Sequence, residues 1–123
     1  MKNSVKWFEI PAKNFERAKK FYGTVLDSEI ELMEHPTHKY GLLPSERENG
    51  GIGGAIVKGE GYEPSDKGPI VYLNGGKDLT ESLHRVEKAG GKVLVPKTSL
   101  GENGFMAIFT DTENNRVGLY SLN

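Results

Sequence analysis

With 123 residues, 36% of them hydrophobic, the chain is long enough for one core and short for two domains. Sixteen Lys and Arg against seventeen Asp and Glu give a formal charge of −1, and the signs alternate along the chain, which argues against nucleic acid or an anionic membrane as a partner. The absence of cysteine excludes disulfides, thiolate metal sites and a cysteine nucleophile; no apolar run approaches the ~20 residues of a membrane span, and Met1-Lys2-Asn3-Ser4 carries no signal-peptide core, so a cytoplasmic protein is expected.

In chain order, Trp7-Phe8-Glu9-Ile10-Pro11 reads as a strand, Ala12-Lys13-Asn14 as a turn, and Phe15, Ala18, Phe21, Tyr22 and Val25 recur at helical spacing. Asn14 is placed to accept a backbone N–H of the first helical turn. The alternating Glu29-Ile30-Glu31-Leu32-Met33, then Lys39 to Leu43 and Gly51 to Val57, predict three further strands. Residues 59–68, with glycines, a proline and charges, read as a connector. The plan then repeats. Ile70-Val71-Tyr72-Leu73-Asn74 predicts a strand, Gly75-Gly76-Lys77 a turn, and Leu79, Leu83, Val86 and Ala89 the buried stripe of a second helix. Asp78 with Glu81 is a capping-box variant, and Gly90-Gly91 closes the helix. Lys92 to Val95, Phe105 to Phe109 and Arg116 to Tyr120 complete the strands, with Lys97 to Gly104 as a polar loop.

Each half follows β-α-β-β-β, the first over residues 5–58 and the second over 69–122. A half of that size buries too little surface to stand alone, so the two are expected to pack as a single α+β domain.

Three stretches carry a resemblance. Trp7 to Pro11 followed by Asn14-Phe15-Glu16-Arg17-Ala18-Lys19-Lys20-Phe21-Tyr22, the glycine-rich strand Gly51 to Val57 followed by Lys58-Gly59-Glu60-Gly61-Tyr62, and the closing Phe109-Thr110-Asp111-Thr112-Glu113-Asn114-Asn115-Arg116-Val117-Gly118-Leu119-Tyr120 resemble the vicinal oxygen chelate superfamily. That superfamily contains glyoxalases, bleomycin-resistance proteins and extradiol dioxygenases, and the chain is most similar to its compact bacterial glyoxalase-like group. The resemblance implies two βαβββ modules forming a curved mixed sheet around a central cavity, with helices outside, and a homodimer. Fold alone does not fix the chemistry.

In metal-dependent members four ligands sit at equivalent strand positions, which carry over to Trp7, Gly53, about Ile70, and Gly118. None binds a cation through its side chain, and a divalent site needs three or four O or N donors at about 2.0–2.2 Å. Among the neighbours only Glu9 and Tyr120 are donors. A divalent metal is therefore disfavoured as cofactor. His35 and His38 lie in a turn beside Glu34, a weak alternative metal pair, and His84 reads as surface.

Strand alternation puts Trp7 and Glu9 on one face. With the duplicate register, the expected lining is Trp7, Glu9, Gly53, Ala55, Ile70, Tyr72, Gly118 and Tyr120. Such a mix of aromatic walls and few polar groups suits a small-molecule site. Glu9 among aromatic rings is a candidate general base; the alternative is a solvated carboxylate paired with Lys6 or Lys97. Glu102, in the polar loop, is a weaker acid or base candidate. Three readings compete: a bleomycin-resistance-like binder of an aromatic or amphipathic molecule, a glyoxalase-like lyase or isomerase using Glu9, and a dimeric partner with a vestigial cavity.

Overall fold

The computed structural model describes residues 3–123; Met1 and Lys2, part of the opening weighed above as a leader, lie outside the described residues. The elements are β1 (Trp7–Pro11), α1 (Phe15–Val25), β2 (Glu31–His35), β3 (His38–Leu42), β4 (Gly53–Lys58), β5 (Val71–Asn74), α2 (Thr80–Lys88), β6 (Lys92–Ser99), β7 (Phe105–Thr110) and β8 (Arg116–Ser121). Short 3-10 turns at Arg47–Asn49 and Gly101–Asn103 precede β4 and β7. Both halves thus run β-α-β-β-β, the mixed α+β fold expected of two βαβββ modules.

Eight strands form two four-stranded sheets, ordered β1-β4-β3-β2 and β5-β8-β7-β6. In each, the opening strand pairs in parallel with the last strand of its module, and the remaining pairs are antiparallel. The helices follow from the sequence pattern. All five apolar positions of α1 are buried, and Asn14 Oδ1 accepts Arg17 N at 3.1 Å. At α2 the cap is a local turn: Asp78 Oδ1 accepts from Thr80 N (2.9 Å) and Thr80 Oγ1 (2.6 Å), not the reciprocal Asp78–Glu81 box expected. Leu79 N, at the start of the same helix, donates across the fold to Ser121 Oγ of β8 at 3.0 Å.

One apolar cluster unites both modules. Phe21, Tyr22 and Val25 of α1 join Leu79 and Val86 around α2, with Ile10, Ile56, Leu73, Phe109 and Leu119 from the sheets. Phe21 packs edge-on to Tyr22 with ring centroids 5.0 Å apart. Each such side chain, fully buried, contributes roughly 1.5–3 kcal/mol. This cluster takes one face of each sheet and leaves the other free of helix. No helix among the described residues is long and apolar enough to cross a membrane.

Two local expectations change. The histidine turn is a tight hairpin in which His35 and His38 face each other across β2 and β3, with only Pro36 and Thr37 between. The segment Lys97 to Ser99, expected as loop, extends β6 through register shifts, pairing Thr98 with Met106 and Ser99 with Phe105. An edge strand tolerates Pro96 at such irregularities because one side of its backbone needs no partner.

The β7–β8 hairpin ties the modules together. Glu113 Oε1 accepts Lys13 N (2.9 Å) and Asn14 N (2.8 Å), while its Oε2 accepts Arg17 Nε at 2.8 Å. Asn115 Nδ2 donates to Pro11 O at 2.7 Å. Asp111, buried, accepts Tyr22 Oη–H at 2.6 Å and the N–H groups of Glu113 and Asn115 at 2.9 Å each. Burial pushes the Asp111 carboxyl above its usual range despite the Tyr22 and Asn115 hydrogen bonds, and burial, then Asp111, pushes the Tyr22 phenol well up.

Candidate site on the helix-free faces of the two sheets

Alternation sorts the candidate residues by face. In the first sheet Phe8, Ile10 and Ile56 pack toward the helices, so Trp7 and Glu9, with their register partners Gly53 and Ala55, take the helix-free face. In the second sheet Val71, Leu73, Val117 and Leu119 pack inward, which leaves Tyr72, Gly118 and Tyr120 on the helix-free face. Ile70, partly buried, lies one residue before β5.

Trp7 and Glu9 are joined directly. The indole Nε1–H donates to Glu9 Oε2 at 3.1 Å, and the hydroxyl of Tyr62 donates to Glu9 Oε1 at 2.7 Å. The hydrogen bond to Glu9, helped by desolvation, raises the Tyr62 phenol to about 12. Both carboxylate oxygens of Glu9 are therefore already engaged. Around Tyr62 lie His38, its ring edge-on at 5.4 Å, and Tyr40, whose ring is 6.2 Å from that of His38. Ala55 and Val57, which face the same side, are fully buried.

Arg47 lies over the Trp7 ring, its guanidinium carbon 5.2 Å from the centroid, a cation–π arrangement. The glycine at 53 makes this possible: a Cβ there would lie 2.5 Å from Arg47 Cδ and 3.0 Å from the Trp7 ring. Gly118 plays the same part in the second sheet, where a Cβ would lie 2.3 Å from the Tyr72 ring. The glycines expected as a ligand's floor thus seat the protein's own side chains.

The expected lining does not form one cavity: Trp7 and Gly53, Tyr72 and Tyr120, and Glu9 fall in separate concavities, Trp7 also borders a neighbouring one of about 760 Å³, and Ala55, Ile70 and Gly118 line none of them. An open cavity of about 660 Å³ is bounded by Trp7, Gly53, Leu42, Glu31, Arg47 and Glu46. A second of about 660 Å³ is bounded by Tyr72, Asn74, Tyr120, Lys77 and Leu122. Glu9 instead lines a third, of about 160 Å³, under the connector with Pro11, Ser65, Asn115 and Arg116. Tyr72 is 45% exposed. Tyr120 is held at its tip, where the hydroxyl donates to Asn103 O. Glu102 is exposed in that same Gly101–Asn103 turn.

Two participants escaped the sequence reading. Tyr62 sits in what reads as a connector, and its bond to Glu9 spans 53 positions, beyond any local pattern. Arg47 sits in a polar stretch with no periodicity. Tyr62 stands in the Lys58-Gly59-Glu60-Gly61-Tyr62 stretch that carries the resemblance, but nothing local in the sequence pairs it with Glu9 or Arg47 with Trp7.

Among the described residues no group of three or more His, Asp or Glu is close enough to hold a metal ion. The donor set at Trp7, Gly53, Ile70 and Gly118 does not fit a divalent cation, since an indole, an aliphatic side chain and two glycines offer no side-chain O or imidazole N.

The family model for the Glyoxalase/Bleomycin resistance protein/Dioxygenase superfamily matches residues 4–119. No curated protein matches the sequence. Among solved structures, the antibiotic binding protein TnmS3 from Streptomyces sp. CB03234 is similar at 22% identity and TM-score 0.69, covering 100% of this chain and 99% of that one. The fosfomycin resistance protein FosX from Listeria monocytogenes is similar at 14% identity and TM-score 0.67, covering 98% and 94%. A glyoxalase I mutant from Zea mays is similar at 20% identity and TM-score 0.71; the match covers 95% of this chain but 46% of the maize chain, about half its length. At these identities the structures share the fold, while the family match takes in nearly the whole sequence, and the chain belongs to the Glyoxalase/Bleomycin resistance protein/Dioxygenase superfamily.

Proposed function

We propose that this protein binds a small aromatic or amphipathic molecule against the indole of Trp7, without a metal. One observation carries the reading. Trp7 is held by Glu9 at its nitrogen and by Arg47 over its ring, and forms the wall of an open cavity of about 660 Å³, within the ~300–1,000 Å³ of small-molecule sites. A fixed indole offers stacking area at little entropic cost. Similarity in fold to an antibiotic binding protein is in keeping with such a role.

The lyase or isomerase reading, with Glu9 as general base, has less support. Both Glu9 oxygens accept hydrogen bonds, and the residue lines the small cavity while Trp7 lines the large one. Taking a substrate proton requires breaking one of those bonds. Glu9 serves better as the positioning residue of Trp7.

We also propose a homodimer in which the Trp7 face of one protomer and the Tyr72 face of its partner close one composite cavity. Within one chain these faces line separate concavities, and Tyr72 is exposed.

The test is a fluorescence titration with 8-anilinonaphthalene-1-sulfonate, an amphipathic aromatic probe. Saturable binding is expected, weakened about tenfold or more in Trp7→Ala and changed less than about threefold in Glu9→Gln. Equal affinity of Trp7→Ala and the wild-type protein, with the melting temperature retained, defeats the binding reading.

A further inference from the structure

One face of the Trp7 indole already has an occupant. The Arg47 guanidinium carbon lies 5.2 Å from the ring centroid, seated by Gly53, where a Cβ would lie 2.5 Å from Arg47 Cδ. Trp7, Arg47 and Glu48 line both the cavity of about 660 Å³ and its neighbour of about 760 Å³, so the stacked pair is part of the wall between them. Little else fastens that wall. Among the described residues the Arg47 side chain makes no ion pair and donates no hydrogen bond, and residues 44–51, which carry it, are all exposed. The indole keeps a support of its own, since Glu9 Oε2 accepts its Nε1–H at 3.1 Å.

The occupant tells what the face accepts. A guanidinium is a planar, delocalised and weakly hydrated cation that stacks on aromatic rings. Around it the cavity of about 660 Å³ is bounded by Glu29, Glu31, Glu46 and Glu48, and Arg47 is the only cation in that lining; Lys6 lines the neighbouring cavity alone. With Arg47 turned aside, the indole is left beside four carboxylates and no positive charge. A cation of the same flat shape restores the balance, whereas an anion meets repulsion from all four.

Resting on the Trp7 binding reading, we propose that Arg47 is the specificity-determining residue of that site: the ligand is a flat aromatic cation, such as a quinolinium or an aryl amidinium, and it binds by taking the place of Arg47 on the indole. Arg47 competes with every ligand for that face. A ligand without positive charge does not replace the attraction that the guanidinium gives up, so an anionic probe reaches Trp7 through its ring area alone and binds more weakly.

N-methylquinolinium and naphthalene-1-sulfonate, alike in ring area and opposite in charge, test this in nuclear magnetic resonance titrations of the full chain. The signals to follow are the Trp7 indole N–H and the Arg47 side-chain protons, which the indole ring current shields; a melting curve confirms that each variant folds. The quinolinium should bind severalfold tighter than the sulfonate, less so as salt rises, and should release the Arg47 signals to their solvent positions. Arg47→Lys keeps the charge but loses the flat stack, so it should tighten the quinolinium about two- to fivefold, the factor of an exposed cation–π contact. Glu31→Gln and Glu46→Gln should each weaken the quinolinium and not the sulfonate. A quinolinium no tighter than the sulfonate overturns the ligand class. Saturable binding with the Arg47 signals unmoved overturns the displacement, as does wild-type or weaker affinity in Arg47→Lys. Those results leave the Trp7 site standing; the site falls, and this inference with it, if Trp7→Ala binds both probes as the wild-type protein does.

Discussion

Tyr62 and Glu9 illustrate how a single contact sets the behaviour of two side chains. The phenol reaches about 12 because the hydrogen bond it donates to Glu9 exists only while the phenol is protonated, with desolvation adding to it. Replacing the carboxylate by an amide removes its charge and weakens the leading cause, the hydrogen bond, so in Glu9→Gln the Tyr62 phenol should fall toward the ordinary 10.0. An ultraviolet difference titration between the two proteins isolates this one group from the other four tyrosines. Tyr22 supplies an internal reference: burial, then Asp111, holds its phenol well up, and neither depends on Glu9. If the difference titration shows no ionisation moving downward, the Tyr62–Glu9 bond does not persist in solution.

Among the elements, the β7–β8 hairpin does most to relate one module to the other, and it does so through the start of α1. The side chain of Glu113 is almost fully enclosed. Burial opposes its ionisation, but the Arg17 guanidinium and the N–H groups of Asn14 and Lys13 overcome that and hold the carboxyl below the ordinary 4.5. The folded value is the lower one, so the carboxylate contributes stability above about 4.5, and loses that contribution as pH falls through the folded value. Asp111 acts in the opposite sense, its folded carboxyl lying above the usual range, so the comparison has to isolate Glu113. Urea denaturation from pH 6 to 3 should give a steeper loss in the wild-type protein than in Glu113→Gln, with the two curves converging in acid; parallel curves would show that the clamp contributes nothing through its charge. Much of this element level was legible in the sequence. The helical stripe from Phe15 to Val25, the Asn14 cap and the order of the strands follow from local periodicity, which the structure obeys. The Asp78 cap was legible only in part, because the helix begins at Thr80 with Leu79 at the N-cap position, so Asp78 stands one residue too early for a reciprocal box with Glu81 and bonds Thr80 instead. What local patterns do not carry is contact between distant positions. Glu113 meets Lys13 across 100 residues, and Tyr62 meets Glu9 across 53, so the clamp and the brace on Trp7 had no signature to read.

At the scale of the whole molecule, the separation of the two helix-free faces is the feature that asks for a partner. Trp7 and Tyr72 line different cavities, each about 660 Å³, and the eight strands form two sheets without a ladder between them. Leu32 and Met33 are exposed on β2, which ends the first sheet, and Leu94 is exposed on β6, which ends the second. Apolar groups on unpaired edge strands invite association unless something covers them. A two-fold dimer that sets the first sheet of one protomer against the second sheet of its partner covers them twice and completes two cavities. Subunit mixing distinguishes this arrangement from a site contained in one chain. In the proposed dimer Trp7→Ala and Tyr72→Ala would each impair both cavities of their own homodimer, because every composite cavity would take one residue from each protomer. In a mixed dimer of the two variants both lesions fall in one cavity and the other is intact. Random exchange at equal concentrations makes half the dimers mixed, so about a quarter of the wild-type capacity for 8-anilinonaphthalene-1-sulfonate should return on mixing. A site made within a single chain carries one lesion in every protomer, and no mixing ratio restores it. Recovery after exchange, with a dimer on sizing, supports the composite cavity; undiminished binding by the Tyr72→Ala homodimer before any mixing assigns binding to the Trp7 face of each chain alone.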